Sequence, residues 1–194
     1  MRRELGGGFE LDDDPGRIDL DAVHAYISGE SYWGRGRSRE LVERAIAGSR
    51  RVVGLYLAPP RASGPRARPG GAPGTAGSAE QVGFARAVSD GATVAYLADV
   101  YVLSAYRGRG LGLELVREIL EGDSGWEIRW LLHTADAQGL YERVGFAEGR
   151  PAYPLMERAR LRAPGDKPEP PAGRPSAHRR GPGWWTGRDS LRRP

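Results

Sequence analysis

At 194 residues the chain has enough sequence for one ordinary domain with a real core, plus some that need not fold. It has no cysteine, which excludes a disulfide framework, a thiolate zinc site and a cysteine nucleophile; His24, His133 and His178 lie too far apart for a metal-ligand set. The net charge of +4 is unevenly placed: residues 157–194 carry ten Arg/Lys against four Asp/Glu, a net of +6, which leaves −2 for residues 1–156.

In chain order, the start Met1-Arg-Arg-Glu-Leu-Gly-Gly-Gly has no apolar stretch behind its basic pair, so no secretory leader is expected. No apolar run reaches the roughly 18 residues of a membrane span, and a soluble cytoplasmic protein with no membrane partner is expected. Phe9-Glu-Leu-Asp reads as a short first strand. A helix follows over 19–28, with Asp19 as N-cap and Leu20, Val23, Ala25 and Ile27 as its apolar positions. Ser38 caps a second helix whose Leu41, Val42, Ala45 and Ile46 share one face and which Gly48 ends. Residues 51–57 and 81–88 are β-rich. Between them, 58–79 is nearly half Gly and Pro with no large apolar residue, so an unstructured loop inserted in one domain is expected there. Ser89-Asp90-Gly91 predicts a hairpin into a strand over 93–103. A glycine-rich turn then opens a helix over 111–121, amphipathic with Leu115, Val116, Ile119 and Leu120 on its apolar side. A strand over 127–133, a short helix over 136–144 and a last strand or two within 145–156 complete the order β-α-α-β-β-β-α-β-α-β, a mixed sheet covered by helices. From about Arg162 the chain is rich in Pro, Gly and Arg, with Trp184-Trp185 its one apolar feature.

The turn Ala105-Tyr-Arg-Gly-Arg-Gly-Leu-Gly-Leu113 carries the most chemistry. A strand running into glycines that open a helix aims several backbone N–H groups and the positive helix end at one spot, which is an anion site. Arg107 and Arg109 add charge. The turn lacks the Gly-Lys-Ser/Thr ending of a Walker A loop, and its glycines at 108, 110 and 112 do not fit the dinucleotide fingerprint.

Arg107-x-x-Gly110-x-Gly112 after an apolar strand resembles the coenzyme-A loop of the GCN5-related N-acetyltransferases, the GNAT family. A second signature of that family is matched by His133-Thr-Ala-Asp-Ala-Gln-Gly-Leu-Tyr-Glu-Arg-Val-Gly-Phe, where a helix carries Tyr141 ahead of Gly145-Phe146. The resemblance covers residues 9–156. It implies an α+β fold with a central mixed, mainly antiparallel sheet of six to seven strands flanked by about four helices. On that reading residues 1–160 form a single domain with the insertion at 58–79, and 161–194 form a basic disordered tail.

The resemblance further implies acetyl-CoA as co-substrate, no metal, and N-acetyl transfer to a primary amine by direct attack on the thioester. Backbone groups of Val100, Tyr101 and Val102 would pair with the pantetheine arm. The N–H groups of Gly108, Arg109, Gly110, Leu111, Gly112 and Leu113, with the Arg107 and Arg109 side chains, would hold the pyrophosphate. Tyr141 would protonate the departing thiolate. The base is where the chain departs from the family: polyamine-type relatives carry Glu-Asp where this chain has Ala98-Asp99. Asp99 is the first candidate base and His133 the second. Glu30, Tyr32 and Trp33, in the loop between the first two helices, would form an acidic, aromatic wall for a small-molecule or peptide amine. The missing acid leaves a second function open, a non-catalytic acyl-CoA-binding module. The mildly acidic main part argues against nucleic acid, and a homodimer stays open.

Overall fold

The computed structural model describes residues 1–59, 79–122 and 128–149. Met1–Glu148 form one compact unit. Among the described residues six strands make a single sheet: β1 (Arg2–Glu4), β2 (Phe9–Asp12), β3 (Arg51–Leu57), β4 (Glu80–Ser89), β5 (Val94–Val102) and β6 (Arg129–Leu131). They lie in sequence order, every neighbouring pair antiparallel except β5 with β6. Four α-helices accompany them: α1 (Leu20–Ala25), α2 (Arg39–Ala47), α3 (Leu111–Glu121) and α4 (Gln138–Glu142). The mixed, mainly antiparallel sheet with four helices is the expected fold. The last strand or two, the Gly/Pro-rich insertion beyond Pro59 and the basic tail lie outside the described residues.

Strand periodicity sorts the core into two layers. Leu11, Val53, Leu55, Val82 and Leu97 pack on one sheet face against Leu111, Leu115, Val116 and Ile119 of α3. Val52, Phe84 and Tyr101 point to the other face and meet Val23, Tyr26 and Ile27 of the α1 region and Val42 of α2. Leu115, Val116 and Ile119 are wholly buried, each worth about 1.5–3 kcal/mol of apolar burial. The caps fall where the sequence puts them: the side chains of Asp19 and Ser38 accept the N–H groups of Ala22 and Leu41. The hairpin turn is held by Asp90, whose carboxylate accepts from the N–H groups of Ala92, Thr93 and Val94.

Strand β1 has no counterpart in the apolar pattern. Its charges hold it instead: Arg3 reaches Glu118 at 2.6 Å and Glu114 at 3.0 Å on α3, and the Arg2 guanidinium pairs with Glu10. On β2 the two faces part cleanly. Phe9 and Leu11 enter the α3 core, while buried Glu10 and Asp12 share Arg17.

Two departures from regularity create the site. The first is at the end of α1, where Ser31 N–H bonds back to the Tyr26 carbonyl at 3.0 Å, widening the last turn over Tyr26–Glu30. The second is in β5. Arg86 pairs with Ala98 and Phe84 with Tyr101, so Asp99 and Val100 together oppose Ala85 alone, and Asp99 adopts φ +51°. That is a β-bulge with its extra residue in the left-handed region, a conformation an Asp tolerates better than most. The parallel pairing with β6 covers only Val94, Ala95 and Tyr96. From Leu97 onward β5 has no strand on that side among the described residues, and a groove lies between residues 97–100 and 133–137.

Candidate active site

The groove has two arms. One, of about 630 Å³, is lined by Tyr26, Glu30, the Val100–Val102 stretch of β5, the glycine turn and the start of α3. The other, of about 450 Å³, lies between Arg37, Arg86, Tyr96, Asp99 and His133. Tyr32, Trp33, Val100, Asp136, Ala137 and Tyr141 line both, so the arms adjoin there.

The first arm is made largely of backbone. Gly108 and Gly110 sit at φ +77° and +79°, conformations that glycine alone adopts freely. Gly110 is the N-cap of α3, and its carbonyl takes the N–H groups of Leu113 and Glu114. The preceding N–H groups at the helix start have no intrahelical acceptor by helix geometry, and Gly110, Leu111 and Gly112 line the groove at the positive helix end. Gly112 serves packing as well: a Cβ there would stand 3.2 Å from Leu140 of α4. The expected coenzyme residues Val100, Tyr101, Val102, Arg107, Gly108, Gly110, Leu111, Gly112 and Leu113 all line this arm. Arg109 does not; its guanidinium lies 5.8 Å from the Tyr106 ring and 5.9 Å from that of Phe9. The Arg107 side chain lines the arm but is turned back on the fold. It donates to the Val102 carbonyl at 2.9 Å and to the Tyr26 hydroxyl at 2.8 Å, fastening the end of β5 to the widened turn.

Tyr141 stands where the arms join, and the reason is local. After α4 the Phe146 N–H bonds to the Tyr141 carbonyl at 3.1 Å and the Gly145 N–H to that of Glu142 at 3.1 Å, with Gly145 at φ +90°. This is a Schellman C-cap, and the apolar contact that accompanies such caps is between the Tyr141 and Phe146 rings, 5.8 Å apart edge to face. The spacing Tyr-x-x-x-Gly-Phe therefore fixes one aromatic ring. Burial raises the Tyr141 phenol to about 12, so it stays protonated at neutral pH.

The second arm is made of side chains. Asp99 is buried, and its oxygens receive Arg86 Nε at 2.6 Å, Arg37 Nη1 at 3.0 Å and Trp33 Nε1 at 2.9 Å. Burial pushes its carboxyl up, but Arg86, Arg37 and Trp33 outweigh burial and hold it below the usual carboxylate value. A carboxylate so placed is a poor proton acceptor. His133 is exposed in the same arm, its Nδ1 2.8 Å from the Tyr96 hydroxyl. Ala98 lines the arm and supplies no ionisable group. Of the expected acceptor wall, Tyr32 and Trp33 border both arms. Glu30 lines the glycine-turn arm with them and not the one around Asp99. Tyr32 also spans the cleft, its hydroxyl accepting the Ala135 N–H at 2.9 Å.

Sequence reasoning passed over Tyr26, Arg37, Arg86, Tyr96 and Asp136. Arg86 had a signal, a charge inside the apolar run Val82-Gly-Phe-Ala-Arg-Ala-Val. Tyr96 and Arg37 had none, because their partners lie 37 and 62 residues away.

Comparison with known proteins agrees with this geometry. The acetyltransferase (GNAT) domain family matches residues 75–148. A Gibberella zeae protein named as an inferred acetyltransferase is 30% identical over 147 residues, which cover 70% of this chain and 76% of that protein. A crystal structure of a GNAT-family protein from Xanthomonas campestris pv. campestris superposes with a TM-score of 0.61 at 33% identity, over 77% of this chain and 92% of that one. Arabidopsis thaliana NAA60, solved with a bisubstrate analogue, shares the fold at a TM-score of 0.51 and 22% identity, over 73% and 85% of the two chains. The chain belongs to the GNAT family of acetyltransferases.

Proposed function

We propose that this chain is an acetyl-CoA-dependent N-acetyltransferase that acylates a primary amine by direct attack. The observation that carries the reading is the junction at Tyr141. A backbone anion cradle opens one side of it, a pocket of ionisable side chains opens the other, and the Tyr141 hydroxyl makes no hydrogen bond among the described residues, which leaves it available to a ligand.

The chemistry assigns itself to these residues in sequence. The N–H groups from Gly108 to Gly112 hold the coenzyme pyrophosphate, while the free edge of β5 at Val100, Tyr101 and Val102 pairs with the pantetheine arm as an added strand would. Any N–H group on that edge that β4 does not take would be a donor to the oxygen that gains charge as the amine attacks. Tyr141 then gives its proton to the departing thiolate, a transfer consistent with a phenol kept protonated by burial.

For removal of the amine proton, His133 replaces Asp99 as the assigned base. Asp99 has its lone pairs committed to two guanidiniums and an indole, whereas His133 presents a ring nitrogen to the pocket with Nδ1 paired to Tyr96. Asp99 holds the bulge and the two arginines.

A thermal-shift titration and an acyl-transfer screen over an amine panel test the reading. Acetyl-CoA at 100 times its Kd should stabilise the fold by about 2.7 kcal/mol, and product should form with at least one amine. His133→Gln should lower kcat/KM roughly 100-fold at neutral pH, and the loss should shrink at alkaline pH, where the acceptor amine is already neutral. A chain that binds acetyl-CoA and acylates no amine would be the binding module instead.

A further inference from the structure

The acceptor arm contains more positive charge at its inner end than the fold consumes. Arg37 and Arg86 both face Asp99, the only carboxylate that meets them among the described residues. A guanidinium has five N–H donors. Arg86 uses Nε on Asp99 and makes a marginal 3.5 Å contact from Nη1 to Ser49. Arg37 uses Nη1 on Asp99 and Nη2 on the Trp33 carbonyl at 3.3 Å. Each therefore keeps donors for a further acceptor, in a pocket where their side chains are only 30% and 12% exposed. The other carboxylate of this arm, Asp136, is exposed and lies at the junction with the coenzyme arm. Arg37 is itself held in place: its carbonyl lies 3.1 Å from His24 Nε2, and its N–H donates to the Gly34 carbonyl at 3.0 Å.

We infer that the acceptor carries an anionic oxygen group, a carboxylate or a phosphate, beside its amine, and that Arg37 and Arg86 receive that group while the amine lies toward His133 and Tyr141. The inference rests on the transferase reading and narrows its substrate class to small amino acids or amino phosphates. Three physical points support it. A guanidinium with spare donors binds carboxylate or phosphate by charge-assisted hydrogen bonds, in a fork that suits both groups. A volume of about 450 Å³ is that of a small-molecule site. A polyamine would set its second cation against two part-buried guanidiniums, an arrangement that like-charge repulsion disfavours. The aromatic loop residues Tyr32 and Trp33, expected to select a cation with Glu30, form the wall beside this anion site, and Glu30 stands outside it.

Steady-state kinetics of the full chain at saturating acetyl-CoA provide the test, with matched acceptors: glycine against glycinamide, phosphoethanolamine against ethanolamine, and spermidine. The anionic member of at least one pair should show a kcat/KM about tenfold or more above its neutral partner, the scale of one hydrogen bond to a charged group, and spermidine should be the poorest. A preference confined to one pair assigns the carboxylate or the phosphate. Arg37→Gln should raise KM for the anionic acceptor about tenfold and narrow the preference within its pair, with the acetyl-CoA thermal shift retained. Equal use of both members of each pair, or preference for spermidine, overturns the inference while leaving the transferase standing. If no amine reacts, N-acetylglycine and N-acetylglycinamide titrated onto the CoA-loaded protein read the site without turnover. A larger stabilisation by the carboxylate that Arg37→Gln removes supports the inference, and equal stabilisation overturns it. Absence of any acetyl-CoA shift is the separate failure of the coenzyme reading.

Discussion

On the side of Tyr141 proposed for the coenzyme the groove is made of glycine backbone at Gly108 and Gly110 and of the edge of β5, while on the side proposed for the acceptor it is made of Arg37, Arg86, Asp99 and His133. The first arm binds with groups every chain possesses, so it needs only the right conformation. The second binds with charges that must be brought from β4, β5, the end of β6 and the loop ahead of α2. The cradle therefore suits a coenzyme common to a family, and the side-chain pocket suits an acceptor that changes from one member to the next.

Tyr141 joins the arms, so its loss should break their cooperation most severely. Tyr141→Phe keeps the ring, the Phe146 contact and the Schellman cap but removes the proton. We expect kcat to fall by about 100- to 1000-fold, with the acetyl-CoA thermal shift and the acceptor KM preserved. A fall of less than threefold would remove Tyr141 from the proton pathway.

Asp99→Asn comes next and tests whether the acceptor arm stands on its ion-pair knot. Asn tolerates the φ of +51°, so the backbone should persist while Arg37 and Arg86 lose their counter-charge. Removing one partner from a buried pair costs about 3–5 kcal/mol; with Arg37 part-exposed, the lower end is expected in urea unfolding. The pH dependence has a definite sign. Asp99 is held below its unfolded value, so its stabilisation is complete above about pH 4 and is lost as pH falls toward the folded value. Wild type should lose stability below pH 4 more steeply than Asp99→Asn. Parallel acid profiles would show that the knot contributes nothing.

Gly110→Ala probes the opposite arm. Space is open around a Cβ there, so the whole cost is the left-handed backbone at φ +79°, about 1–2 kcal/mol. Either the N-cap shifts or the fold bears the strain. The KM for acetyl-CoA should rise roughly tenfold with the glycine-pair acceptor preference intact, 1.4 kcal/mol being a factor of ten. If acceptor preference moves with it, the arms are not separable.

How much of this was legible in the sequence follows the same division. The cradle was, because Gly108 and Gly110 need positive φ within three residues and Tyr141, Gly145 and Phe146 need one helix cap. Local rules govern both. Strand β1 was not, since Arg2 and Arg3 form it by reaching Glu10 and α3 instead of alternating apolar with polar residues. The bulge was not either: nothing local marks Asp99 as left-handed, and its conformation is held by Arg37 and Trp33 from more than sixty residues away. Reading Asp99 as a base followed from its position in the strand. Its partners in space, Arg86, Arg37 and Trp33, are what support the proposal that it is an anchor.

The smallest expected effect is also the sharpest on the acceptor side. Tyr96 of β5 reaches His133 by a hydrogen bond, from the end of the three-residue stretch where β5 and β6 still pair. Burial raises its phenol, so it remains a neutral donor or acceptor to Nδ1 and fixes which ring nitrogen faces the cleft. Tyr96→Phe keeps the ring against the sheet and removes only that hydrogen bond, whose net worth is about 1 kcal/mol. The expected result is a three- to tenfold fall in kcat/KM at neutral pH that fades at alkaline pH, as for His133→Gln, with acetyl-CoA binding untouched. In the double variant the two losses should not multiply, because Tyr96 acts only through His133. Multiplicative losses would mean that Tyr96 meets the acceptor directly, making the wall of this arm, and not its base, the place where Tyr96 works.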